Sequence, residues 1–432
     1  MSDQKSLVET TYLAYGKGRL PLRMDSNLAQ WTVVSPRHEA ALPDARTEFK
    51  RACASPILGK SIRNLIAPGE RVCIVTSDGT RPVPNRLLIP WIIEELGVPD
   101  DSVTVLVGTG THRANTPKEL AEMFGEDILH RVRVVNHDAY DAERNECVGT
   151  TTNGIRVSLD REYVRADKRI AVGFIEPHFF AGFSGGPKAI APGVASLETI
   201  LQLHRYELIA HPQSTWGVLD GNPVHEAIRE SVALCPPDAL VNVTLNADKE
   251  ITAFFIGDYV AAHRKGCEHV RKQAMVAVPH AFPVVVTSNS GYPLDQNVYQ
   301  AVKGMSAAAQ IIEPGGTIFV ASGCCDGIPG HGNFGSMLRE ADSMAGLDAR
   351  LKALDSPRLD QWQAQLFAKI CLRAEVYLRS SLDEATVRAC KLTPVEDLQA
   401  KLEAHLRALG KEARVAVLPE GPVTVAYVSD CT

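Results

Sequence analysis

The sequence predicts an α/β protein of two domains, and three observations point there. Short apolar runs such as RVCIVT and PVVVT alternate with longer stretches of helical character, the pattern of strand–helix units. The 432 residues exceed one domain, at roughly 100–200 residues each. A polar stretch over residues 260–278, read as a connecting helix, separates a first series of such units from a second.

In the first series, Arg71–Thr76 reads as a strand and Asn85–Leu96 as the helix after it. Ser102–Val107 is the next strand. Thr116-Pro117-Lys118-Glu119 then has the form of a helix start, with a Thr cap, Pro at the first helical position and Glu three residues after the cap. Arg131–Val135 and Arg169–Ile175 are strands, the latter followed by a glycine-rich loop and a helix near Ser196–Leu208. In the second series, Pro283–Thr287 is a strand, Leu294–Ile312 a helix and Gly316–Ala321 a strand. Helices are expected near 335–350, 358–378 and 394–409, and short strands at Val387–Cys390, Arg414–Leu418 and Val423–Val428. The expected organisation is an N-terminal domain over 1–270, a C-terminal domain over 275–410, and terminal strands at 411–432 packing back on the first domain. A cofactor and substrate cleft is expected between the domains.

Composition removes several functions. The formal charge is −6 and no basic block occurs, which disfavours nucleic-acid binding. No apolar run reaches the ~18 residues of a membrane span, and the N-terminus lacks the apolar core of a signal peptide. The ten cysteines form no C-x-x-C pair, so they read as reduced thiols of a cytoplasmic protein. Cys324-Cys325 reads as part of a loop after a strand, and its role stays open.

Ligands of open α/β sheets bind beyond the carboxyl ends of strands. The loops there carry Ser77-Asp78-Gly79-Thr80-Arg81-Pro82, then Gly108-Thr109-Gly110-Thr111-His112-Arg113, then Glu176 to Lys188, then Ser288 to Pro293 leading into a helix with Tyr299, Gln300 and Lys303. Each has a bland reading: a turn, a surface histidine, a solvated lysine, a half-exposed helix face. The repetition of one placement in four loops weighs against it. Two phosphate-binding patterns fail. In GFSGGPK, Pro187 stands where a P-loop needs its second Gly, and Ala189 replaces the magnesium-binding hydroxyl. In GTGTHR, Arg113 replaces the third Gly of a dinucleotide fingerprint. Arg81 is expected at a helix start, where backbone N–H groups favour anions.

Taken together, SDGTRP (77–82), GTGTHR (108–113), EPHFFAGFSGGPKAIAPG (176–193) and YQAVK (299–303), with DQWQ (360–363) as a weaker likeness, resemble the nickel-dependent lactate racemases and their relatives. Lys188 lies ten residues after His178, and His204 sixteen after Lys188, as in that family. The resemblance spans the chain. It implies a racemase or epimerase of a small 2-hydroxy acid. It also implies a nickel-pincer pyridinium mononucleotide attached at Lys188 as a thioamide, with His204 completing the nickel coordination. By the same resemblance His112 and His178 are the acid/base pair, and Arg81 and Lys303 contact substrate carboxylate and cofactor. Asp78, Tyr299 and Gln300 orient these groups, and Trp362 lines the site. Dedicated cofactor-synthesis enzymes are the implied partners. Departures from the family pattern are not assigned to a substrate; Phe179-Phe180 and Pro187, beside the site, are the candidates.

The residue types suit that chemistry. A carbon bearing OH and COO⁻ is a poor carbon acid, so inversion by hydride removal and return through a planar 2-keto acid avoids a carbanion. It requires an electrophile that no side chain supplies, a base on each side of the substrate and a cation on the carboxylate. The alternatives are a nicotinamide-dependent oxidoreductase on a similar frame, disfavoured by the missing Gly, and a non-catalytic nickel- or anion-binding protein, which needs no pair of bases.

Overall fold

The computed structural model describes residues 7–37, 39–330, 332–410 and 412–429. The chain divides into two compact α/β units: His38–Gln273, and Met1–Arg37 joined with Ala274–Thr432.

The chain opens with a hairpin, β1 (Val8–Tyr15) and β2 (Gly18–Asp25), followed by β3 (Gln30–Val33). The His38–Gln273 unit contains β4 (Val72–Ser77), β5 (Val103–Gly108), β6 (Arg133–Asn136), β7 (Asn145–Thr150), β8 (Arg156–Asp160), β9 (Lys168–Phe174), β10 (Pro177–His178), β11 (Gly182–Phe183), β12 (Ala239–Leu245) and β13 (Ile251–Gly257). Among the described residues its main sheet has the order β13-β12-β9-β4-β5-β6. Only β13 runs antiparallel to its neighbour. A parallel sheet covered on both faces needs strands apolar on both sides, and β4 is buried at every position from Val72 to Thr76. Ile74, Val105, Ile170 and Val241 meet Leu88, Ile92 and Phe49 in its core. The helix Asn85–Leu96 has the expected bounds and ends on Gly97 in the left-handed conformation, a position where glycine avoids a Cβ clash. The expected capping box also forms: Thr116 accepts from the Glu119 N–H, and Glu119 returns the bond to Thr116.

The second unit continues with β14 (Met275–Val278), β15 (Phe282–Ser288), β16 (Ile312–Ala321), β17 (Glu375–Arg379), β18 (Thr393–Pro394), β19 (Arg414–Leu418) and β20 (Val425–Val428). Its described strands form a parallel sheet in the order β18-β17-β16-β15-β19-β3. Val284, Val286, Phe319 and Val415 pack there with Leu402 and Leu406.

Three expectations change. The first residues do not belong with 38–270: β3 pairs in parallel with β19, Gln30–Val33 against Arg414–Val417. The terminal strands do not return to the first domain either, since β19 lies beside β15 and β20 pairs with β14. Glu384–Ala389 is a helix rather than a strand, because the Asp383 side chain accepts from the Thr386 N–H and caps it. The strand of that region is β17, which periodicity had merged into the preceding helix, Gln361–Arg373.

The nine cysteines among the described residues are free thiols, and Cys324 stands with φ 51 after β16. No helix of the described residues is long and apolar enough to cross a membrane.

Candidate active site

The site begins where β4 ends. Asp78, 4% exposed, follows that strand. Its Oδ1 accepts from the Thr80 hydroxyl (2.6 Å) and the Thr80 N–H (3.3 Å), and its Oδ2 faces His112 Nδ1 at 2.8 Å. Burial alone would push the carboxyl up; His112, Thr80 and the Arg81 charge outweigh it and hold it below the usual range. A carboxylate on Nδ1 places the imidazole hydrogen there, so Nε2 carries the lone pair. The His112 side chain is about half exposed. Its loop rests on the segment after Lys188: the Gly110 N–H donates to the Gly193 carbonyl at 2.9 Å. At Gly108 a Cβ would stand 3.1 Å from that same oxygen.

Arg81 is not at a helix start. The Arg81 N–H closes a turn onto the Asp78 carbonyl at 3.1 Å, and the helix begins only at Asn85. Pro82 and Pro84 explain the delay, because the residue before a proline avoids the helical region. The guanidinium instead acts on Lys188, whose ammonium form it opposes.

Beyond β9, the short strands β10 and β11 pair as a tight hairpin, His178 opposite Gly182. Gly182 has φ 78, and a Cβ there would lie 2.0 Å from the Val218 carbonyl oxygen. The backbone N–H groups of Ala181 (3.2 Å) and Phe180 (3.5 Å) point at His178 Nδ1. That nitrogen therefore holds the lone pair, and Nε2 carries the hydrogen toward Lys188 Nζ, 3.5 Å away. Lys188 sits in the one-turn helix Gly186–Ala189 after a glycine pair with positive φ. Burial, with Arg81 adding to it, lowers its pKa to about 7. An amine that loses its proton near neutrality is a nucleophile, and it can accept the His178 hydrogen.

Phe180 stands among these groups. Its ring lies 4.5 Å from that of His178 and 5.4 Å from that of His204, with Lys188 Nζ 5.5 Å from its centre. Phe179 packs on His178 at 4.9 Å and reaches Trp216 at 6.0 Å. His204 ends the helix Leu197–Leu203, which the Ser196 side chain caps. It is buried, its Nδ1–H donates to the Ile200 carbonyl at 2.7 Å, and burial lowers its pKa to about 4. It is therefore a neutral imidazole with its lone pair on Nε2, the form that ligates a metal.

The other predicted residues lie in the second unit. Tyr299, Gln300 and Lys303 share the helix Val298–Ala309, started by the Asn297 side chain. Trp362 is buried on the helix Gln361–Arg373. Gln363, beside it, donates to the Tyr299 carbonyl and ties the DQWQ and YQAVK motifs together.

No three His, Cys, Asp or Glu side chains cluster as a metal site among the described residues. A nickel ion held through His204 thus needs its other donors from a cofactor. The residues present fit such a group: a neutral imidazole, a nucleophilic amine and an arginine, all in one unit. Sequence reasoning missed Thr80, Trp216, Asn242 and His263. Asn242 had a signal, being the one amide in the apolar run ALVNVTL; His263 on a polar helix had none.

The family model of the lactate racemase N-terminal domain matches residues 15–217, and that of the C-terminal domain matches 279–426. The lactate racemase of Thermoanaerobacterium thermosaccharolyticum is 35% identical over 414 residues, covering 95% of this chain and 97% of that protein. The lactate racemase of Lactiplantibacillus plantarum is 35% identical over 379 residues, covering 86% of this chain and 88% of that protein. The structure of the lactate racemase apoprotein from Thermoanaerobacterium thermosaccharolyticum superposes with a TM-score of 0.90 at 33% identity, covering 97% of this chain and all of that one. A Thermotoga maritima protein shares the fold at 18% identity, with a TM-score of 0.69 over 90% of this chain. The chain therefore belongs to the lactate racemase family, a family of isomerases.

Proposed function

We propose that this protein racemises a small 2-hydroxy acid, with lactate, the acid named for its relatives, as the substrate. The observation that carries the reading is the pair of histidines with opposite tautomers in one unit: His112 offers a lone pair on Nε2, and His178 offers a hydrogen there. A racemase needs one group to take the hydroxyl proton and another to return it from the opposite side.

His112 takes the hydroxyl proton of one enantiomer, and Asp78 steadies the imidazolium that results. His178 hydrogen-bonds the oxygen of the planar keto acid through Nε2–H and, for the other enantiomer, returns a proton from its imidazolium form, which leaves a neutral ring; the reverse direction uses the opposite protonation states. Arg81 holds the carboxylate with two parallel N–H bonds. Lys188 is the attachment residue of the nickel-pincer nucleotide, and His204 Nε2 is the nickel ligand. When bound, the cofactor supplies the electrophilic centre that takes up and gives back the carbon-bound hydrogen. Tyr299, Gln300, Lys303 and Trp362 carry the cofactor- and substrate-contact roles that family resemblance gives them. Enzymes that make the cofactor are the proposed partners, and the cytoplasm the proposed location.

The test is interconversion of D- and L-lactate, without added NAD, by protein made alongside its cofactor-synthesis enzymes. Intact mass and metal analysis are taken on the same sample. Racemisation with one adduct on Lys188 and about one nickel per chain is expected. A nickel-free, unmodified protein that racemises at full rate would overturn the cofactor assignment, and loaded protein inert toward both lactates would overturn the substrate.

A further inference from the structure

Lys188 follows a turn that two buried polar side chains hold, one at Ser184 and one at Gly186. Asn242 lies in the middle of β12 and is fully buried. Its Oδ1 accepts from the Gly186 N–H at 2.8 Å. Space for it is cut by two glycines: a Cβ at Gly173 would lie 3.2 Å from Asn242 Nδ2, and one at Gly185 would lie 2.7 Å from Asn242 Oδ1. His263, 3% exposed, lies on the helix Tyr259–Ala274. Its Nε2 meets the Ser184 carbonyl at 2.9 Å, with Cys267 Sγ 3.3 Å from the same nitrogen. Residue 186 has φ 53, and a Cβ there would also stand 2.3 Å from the His263 ring, so glycine is favoured on both counts. A buried amide in a central strand is costly unless it is hydrogen-bonded, and this one spends its oxygen on the turn before Lys188.

We infer that Asn242 and His263 are positioning residues that hold the Ser184–Gly186 turn so that the Lys188 amine stands where a cofactor can be joined to it. The backbone between them leaves little freedom. The Lys188 N–H bonds the Gly185 carbonyl at 3.2 Å, and the Ser184 hydroxyl bonds the Phe174 carbonyl at 3.1 Å. With both ends of the turn held, Lys188 is kept beside His178 and Arg81. A turn freed at Ser184 and Gly186 would let its long side chain reach solvent, where an ordinary ammonium is favoured. The inference rests on the reading of Lys188 as the attachment residue.

Two measurements separate that reading from the brace. Peptide mapping gives the fraction of Lys188 carrying an adduct after production with the cofactor-synthesis enzymes. Amide hydrogen exchange on cofactor-free protein follows the segment 183–190 against β9. His263→Leu and Asn242→Ala are each expected to lower loading at least tenfold and to speed exchange in 183–190 at least tenfold, with β9 unchanged. His263→Gln keeps an N–H donor for the Ser184 carbonyl and is expected to restore loading; Asn242→Ser serves where Asn242→Ala does not fold. An unmodified Lys188 in active wild-type protein would defeat the attachment reading itself. Wild-type loading in folded His263→Leu and Asn242→Ala would overturn the brace.

Discussion

His112 and His178 come from corresponding loops after β5 and β9, yet the protein treats them differently. His112 is about half exposed and leans on a buried carboxylate whose other oxygen is taken by Thr80. His178 sits in a tight hairpin against two phenylalanine rings that also touch each other, its Nδ1 facing backbone N–H groups and its Nε2 facing an amine. A carboxylate at Nδ1 fixes the ring hydrogen there and leaves Nε2 an acceptor, whereas backbone donors at Nδ1 leave the hydrogen on Nε2. Two identical side chains thus acquire opposite proton-transfer characters from what touches Nδ1, without any difference in residue type. The sharpest experiments are those that remove or invert that difference.

The largest effect is expected at Lys188, beside which one of the two histidines stands. Lys188→Arg keeps a long basic side chain but cannot form the thioamide, so adduct and racemisation should both vanish. Activity surviving in protein whose mass shows no adduct would break the assignment.

Next come the histidines themselves. His112→Ala and His178→Ala should each slow racemisation in both directions by ~10²–10⁴-fold, the usual worth of a general base. At steady state each variant must lose the same factor in kcat/KM in both directions, because no enzyme changes the equilibrium constant. In a single turnover they should part: each should form keto acid faster from one enantiomer, with opposite preferences. Equal first-step rates from both enantiomers in either variant would remove the two-base reading.

Asp78→Asn should cost less than His112→Ala, roughly 10²-fold, the low end of the same range. The amide can still hydrogen-bond Nδ1 but no longer stabilises the charged ring. The loss should fall on the enantiomer that His112 serves and leave the single-turnover rate from the other near wild type. An equal loss from both would mean that Asp78 supports the fold of the loop rather than one base. Arg81→Lys should follow, at about tenfold in kcat/KM, since removing one charge-assisted hydrogen bond of ~1.5 kcal/mol corresponds to that factor. Unchanged kinetics would leave Arg81 as a surface residue.

The same contrast shows what the sequence could disclose. The strands that present the site, β4, β5 and β9, were legible because parallel strands buried on both faces are continuous apolar runs. The helix Asn85–Leu96 and the Thr116 capping box were legible because their signals are local. The pairing of β3 with β19 was not, because it joins residues nearly four hundred positions apart and nothing local encodes it. The site followed the same rule. Asp78, His112, His178, Lys188 and His204 could be named from motifs, but that Asp78 bonds His112 rather than His178 is a fact of packing. Asn242 and His263 escaped because each lies outside any motif, on an element that reaches the Lys188 turn only in the folded unit.

The last effect is read in stability rather than in rate and concerns Lys188 as a titrating group in cofactor-free protein. Its pKa of about 7 in the folded chain lies below the ~10.4 of an unfolded lysine. Between those values the unfolded chain binds the proton and the folded one does not, so the stability contribution rises with pH across that window. The penalty for burying the amine is therefore complete below about pH 7 and relieved above about pH 10. Lys188→Met removes the titration while keeping an unbranched side chain of similar length. Its stability advantage over the wild type should be greatest near pH 6.5 and shrink steadily toward pH 9.5, measured by urea unfolding at each pH. Parallel curves for the two proteins would show that the folded state holds Lys188 as an ordinary ammonium, and the hydrogen on His178 Nε2 would then need another acceptor.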